Sequence, residues 1–122
     1  LQDRHCPILD RAYSALIDDL SERGMLDVTL LIAMGEFGRT PKISNRAARE
    51  HHKDCYFSIW AGGGIEPGRV IGESDAKAEH PITRPITPLQ VGTTIAELCG
   101  IGARKRAEMK VLDGGSVIHE LI

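Results

Sequence analysis

The chain has 122 residues, the size of one small domain, and 42% of them are apolar, so a buried core is possible and wholesale disorder is excluded. A formal net charge of −2 leaves no basic footprint for nucleic acid, and no apolar run is long enough to span a membrane. Three scattered cysteines, Cys6, Cys55 and Cys99, show no CxxC spacing and read as small buried apolar residues, not as a disulfide framework or a zinc–thiolate site.

The chain opens on Leu1, which leaves room for an upstream segment that has been removed. Pro7 to Arg23 reads as a helix. Leu9, Tyr13, Leu16 and Leu20 recur at spacings of three and four, Pro7 suits the first turn, and Gly24 ends the element. "VTLLIAM", Val28 to Met34, is short, continuously apolar and partly β-branched, which points to a strand covered on both faces, as in a parallel sheet. Gly35 to Asp54 turns polar and basic and reads as a long loop with a short helix at Asn45 to Glu50. "CYFSIWA", Cys55 to Ala61, is a second strand. Gly62 to Gly64 turn the chain, and "EPGRVIG" reads as a turn into a further short strand. Glu73 to Pro85 is a second polar loop. Thr87, Pro88 and Gln90 form a capping-box start to a helix whose apolar face is Ile95, Leu98 and Cys99 and whose end is Gly100. "GARKRAEMK" reads as a charged connector, and Asp113-Gly114-Gly115 as a tight turn.

The first candidate site follows from strand order. In open α/β sheets ligands bind beyond the carboxyl ends of strands, and Glu36 stands there after the first strand, between Gly35 and Gly38. Its carboxylate suits a divalent cation or an oriented water, or it pairs with Arg39 to tie the loop down; both readings stay open. The second cluster is "REHHKD", Arg49 to Asp54. Histidine and carboxylate together suit zinc, manganese or iron. His51 and His52 are adjacent, so in extended chain they point to opposite sides, one free to ligate and the other to meet substrate or solvent. The plain alternative is two surface histidines in a polar loop. Gly62 to Gly64 resembles a phosphate-cradling loop in composition only, and Cys55 opens a buried strand, which argues against a nucleophile.

Taken together, "LDRAYSALIDDLSERGMLD", "MGEFGRTPKI", "REHHKDCYFSIWAGGGI", "RPITP" and "VLDGG" resemble the bacterial family catalogued as domain of unknown function 1501. That family is similar to the alkaline phosphatase and sulfatase-like superfamily. The resemblance implies that residues 1–122 are the C-terminal portion of one α/β domain, a partial three-layer α/β/α sandwich with a mainly parallel sheet. It implies a metal-dependent hydrolase of small-molecule phosphate or sulfate esters, with a divalent ion (zinc, manganese or calcium) held by Glu36 and His51. Arg39, Thr40 and His52 would meet the substrate, and the nucleophile would lie upstream. Phe37 stands where the superfamily has a histidine ligand, and His52 where the family has a tryptophan; both are departures. The alternatives are a non-catalytic binding or scaffolding member of the same fold and a phosphomutase. The resemblance also implies an extracytoplasmic location, and a sheet cut in half implies an open edge for self-association.

Overall fold

A computed structural model describes residues 3–122. Helix α1 runs His5–Glu22 and ends at Gly24, whose φ of 66° only glycine adopts cheaply. Leu20 is the one buried member of its apolar stripe; Tyr13 is half-buried, while Leu9 and Leu16 stay exposed. Asp19 is solvent-facing and pairs with Arg23 at 2.8 Å. A 3-10 turn, Leu26–Val28, leads to strand β1, Leu31–Met34. Two very short strands follow, β2 at Gly38–Arg39 and β3 at His51–His52, then β4 at Ser58–Ala61.

The parallel sheet expected from the apolar runs is not formed. β1 pairs antiparallel with β4, Leu31 opposite Ala61 and Met34 opposite Ser58. β2 pairs antiparallel with β3, Gly38 opposite His52 and Arg39 opposite His51, so the described residues hold two separate two-stranded antiparallel sheets. The α/β/α sandwich is thereby corrected to a small mixed fold of three helices and two short ribbons. A parallel pair needs a crossover that carries the chain back to the starting end, usually a helix. Here Gly35 to Phe57 holds no helix. The β2–β3 ribbon reverses the chain instead, and β4 returns alongside β1 from the far end. Continuous apolarity misled because these strands are only half-buried; Met34 and Ile59 remain exposed. The Tyr13 hydroxyl, which donates to the Ile59 carbonyl at 3.4 Å, links α1 to β4.

Three further expectations change. Asn45 to Glu50 is a turn, with the Ser44 amide donating to the Ala48 carbonyl and Ala47 at φ 55°, a left-handed conformation that stops a helix. No strand follows Gly68; there is only an isolated bridge between Ser74 and Pro81. The charged connector is a helix, α3, at Ala103–Met109. Its Arg106 is buried and donates to Glu97 at 2.6 Å and to the Ile101 carbonyl at 2.7 Å, which satisfies a charge that would otherwise be costly to bury.

Helix α2, Pro88–Leu98, starts as expected. The Thr87 side chain accepts from the Gln90 amide, the Gln90 side chain accepts from the Thr87 amide, and Pro88 stands in the first turn. Its buried face is unexpected: Thr93 and Thr94 are fully buried, Ile95 and Leu98 half-buried, and Cys99 exposed. Thr94 Oγ1 donates to the Gln90 carbonyl and accepts from the Ile118 amide, so this polar core is satisfied. The Asp113–Gly114 turn brings Gly115 against Thr93 and carries the chain to Ile118, 1% exposed. Cys6 is also exposed, so only Cys55 approaches the buried thiol expected of all three; all are free. No helix among the described residues is long and apolar enough to cross a membrane.

Candidate functional site

The β2–β3 ribbon carries the candidate residues and sorts them by face. Side chains alternate along a strand, so Phe37, Arg39 and His51 share one face while Gly38 and His52 share the other. On the first face the Phe37 ring lies against the His51 imidazole, with ring centroids 3.8 Å apart and planes tilted by 36°. The Arg39 guanidinium sits over the same Phe37 ring, 5.0 Å from its centroid, within reach of a cation–π attraction. The Phe37 ring thus contacts both the guanidinium and the imidazole. Arg39 and His51 are both exposed, and among the described residues no group accepts a hydrogen bond from the guanidinium.

Glu36 is exposed at the bend after β1, and no ion pair joins it to Arg39 among the described residues. Thr40 extends β2, but its hydroxyl is engaged: it donates to the Lys42 carbonyl at 2.9 Å and accepts from the Glu50 amide at 3.1 Å. Arg49, of the "REHHKD" cluster, donates to the carbonyls of Thr40 (2.7 Å) and Pro41. The loop so closed borders a shallow cleft of about 460 Å³ lined by Thr40, Lys42, Ile43, Ser44, Asn45 and Glu50.

The other face is covered. The Gly38 backbone packs so closely on the Cys55 carbonyl that a Cβ there would lie 1.9 Å from its oxygen. His52 Nε2 lies 2.9 Å from the Glu79 carbonyl, which accepts only, so Nε2 carries the proton. The two histidines thus diverge as extended chain requires: His51 meets the Phe37 ring, and His52 is turned to the Glu73–Thr83 loop. In that loop the Asp75 carboxylate accepts from the amides of Glu79 (2.9 Å), Lys77 (3.0 Å) and His80 (3.2 Å), and these donors hold its pKa below the usual carboxylate range, the Glu79 amide most of all. Asp54 is likewise lowered, chiefly by the Lys53 ammonium bonded to it at 2.5 Å, and His80 Nδ1 stands 3.9 Å away.

Two lesser candidates can be placed. The Gly63 amide donates to the Leu26 carbonyl, and Gly62 and Gly63, both at positive φ, press on Leu26 and Leu30, so the triple glycine serves close backbone packing. Burial, followed by the charges of Asp75 and Asp54, pushes the Cys55 thiol up, away from the thiolate a nucleophile needs.

A divalent centre fits this chain only in part. Glu36 and His51 supply one carboxylate and one imidazole, two side-chain ligands, whereas zinc sites take at least three protein ligands and calcium takes more oxygen ligands. Among the described residues no three His, Cys, Asp or Glu side chains converge.

The fold and the ribbon therefore define a small mixed helix-and-ribbon unit that presents an exposed arginine and histidine on one face. Residues 1–122 match the family described as Protein of unknown function (DUF1501), and the chain belongs to it. Neither a curated protein nor a solved structure matches.

Proposed function

We propose that this chain supplies the anion-binding wall of a hydrolase of phosphate or sulfate esters, with Arg39 and His51 facing the tetrahedral group. The observation that carries the reading is the shared ribbon face: an exposed guanidinium with its donors free, and an imidazole held beside it by one phenyl ring. A planar guanidinium offers paired N–H donors that match two oxygens of a phosphate or sulfate, and packing on Phe37 limits its rotamers before ligand arrives. The Glu73–Thr83 side of the ribbon is closed, so ligand would approach from the Phe37 side. His52 and Thr40, whose polar atoms are already engaged, would act by holding the ribbon rather than by touching substrate.

On this reading Glu36 and His51 are two donors of a divalent site whose other ligands, like the nucleophile, lie outside these residues. The ion would polarise the ester oxygen and lower the pKa of the attacking group. The test uses the full-length protein with phosphate and sulfate ester panels and metal analysis. Glu36→Gln and His51→Ala should lower metal content and turnover together, and Arg39→Ala should raise KM. Turnover indifferent to all three substitutions would refute the assignment.

A second reading is favoured by Phe37, which presses on His51 from a position where a metal-binding member would carry a ligand: a non-catalytic binding or scaffolding protein of this family. Sulfate binding that depends on Arg39, with neither metal nor turnover, would establish it. A phosphomutase would instead interconvert phosphosugars without releasing inorganic phosphate. Self-association through the open edges of β1 and β4 is compatible with each of these.

A further inference from the structure

The β2–β3 ribbon has only two residue pairs, too few to hold a defined geometry alone. Its functional face nevertheless requires Arg39 and His51 to stay opposite each other. What holds it lies behind it. From the Glu73–Thr83 loop, the Glu79 carbonyl is the group that accepts from His52.

That loop is built as a unit before it reaches the ribbon. The Asp75 carboxylate gathers three amides, the Asp75 amide donates to the His80 carbonyl, the Ala78 amide to the Asp75 carbonyl, and the Ile82 amide to the Glu73 carbonyl. The Thr83 hydroxyl accepts from the Glu73 amide at 3.0 Å and closes the base. The Glu79 carbonyl is therefore fixed in space by Asp75, and His52 is fixed by Glu79.

We infer that the Glu73–Thr83 loop is the backing element of the Arg39–His51 face, and that His52 and Asp75 are its positioning residues, coupled through the Glu79 carbonyl. The inference rests on the proposed anion-binding face for its consequence, but the tether can be tested without it. His52→Phe keeps a ring and removes the donor. His52→Gln keeps an N–H at similar reach. Asp75→Ala leaves the ribbon untouched and releases the loop.

Hydrogen–deuterium exchange on the full-length protein reads the result. The Thr40 amide, which donates to the Glu50 carbonyl across the ribbon, is the reporter. In both His52→Phe and Asp75→Ala its exchange should quicken about five-fold, the loss of roughly one ordinary hydrogen bond. His52→Gln should restore protection, and the double variant should be no faster than either single one, because both cut the same chain. Ribbon exchange unchanged in Asp75→Ala, or additive effects in the double variant, would overturn the inference. Should His52→Phe fail to fold, Asp75→Ala and His52→Gln decide the question between them. Titration with inorganic sulfate separates the two ideas: wild-type protein that does not bind it at Arg39 refutes the anion-binding face, while the exchange comparison still decides the tether.

Discussion

Replacing Gly38 by alanine should disable the Arg39–His51 face while leaving the rest of the fold in place. A Cβ at position 38 would lie 1.9 Å from the Cys55 carbonyl oxygen, 2.9 Å from its carbon and 3.0 Å from the His52 carbonyl oxygen. Ordinary contact begins near 3.4 Å, so backbone must give way by over an ångström, and neither neighbour is a flexible side chain that can swing aside. Overpacking of this kind costs about 1–3 kcal/mol. Each ribbon hydrogen bond contributes about 1 kcal/mol net, so the clash rivals the hydrogen bonds within the two pairs. The ribbon should open, and the Phe37–His51 stack should separate. Apart from Gly38 itself, the buried residues Leu20, Thr93, Thr94, Arg106 and Ile118 lie outside the ribbon, so the melting temperature should change little. Sulfate titration followed by the His51 ring proton resonances, beside a thermal melt, measures both. The expected result is at least about ten-fold weaker binding, the equivalent of 1.4 kcal/mol, with a near-native melt. Native affinity in Gly38→Ala, or global unfolding, would refute the reasoning.

Thr94→Val keeps the shape but leaves the buried Ile118 amide without an acceptor, and should cost about 1–3 kcal/mol in chemical denaturation. The Asp75 pKa is lowered in the fold, so its contribution is complete above the ordinary carboxylate range and is lost as pH falls through the lowered value. Amide exchange at Lys77, Glu79 and His80 should therefore lose protection only in acid, and loss at neutral pH would count against the carboxylate's role. The chain exposes 9127 Å², roughly 2,700 Å² more than a folded monomer of this mass, with Ile8, Leu9 and Leu16 uncovered on α1. The isolated 122-residue chain should self-associate, and sedimentation as a compact monomer down to low concentration would refute that.

Local signals in the sequence determined the elements whose causes are themselves local. The Thr87–Gln90 capping box, the Gly24 stop and the Asp113–Gly114 turn each depend on residues within a few positions, and each formed where expected. The opposite directions of His51 and His52 follow from strand alternation alone. Helix α3 was hidden because its charges resemble a solvated linker, and only the fold shows Arg106 turned inward to Glu97. Strand direction was not legible either. Parallel and antiparallel strands can share the same apolar run, and the choice was made by the ribbon between them, whose pairing joins residues more than ten positions apart. The same holds for the site. Glu36, Arg39 and His51 stand out as candidates by type and position, but the contact of the Phe37 ring with both the guanidinium and the imidazole required the register of β2 on β3. The backing loop required more: the Glu79 carbonyl carries no side-chain signature, and its meeting with His52 spans 27 positions of chain, a contact that tertiary packing alone decides.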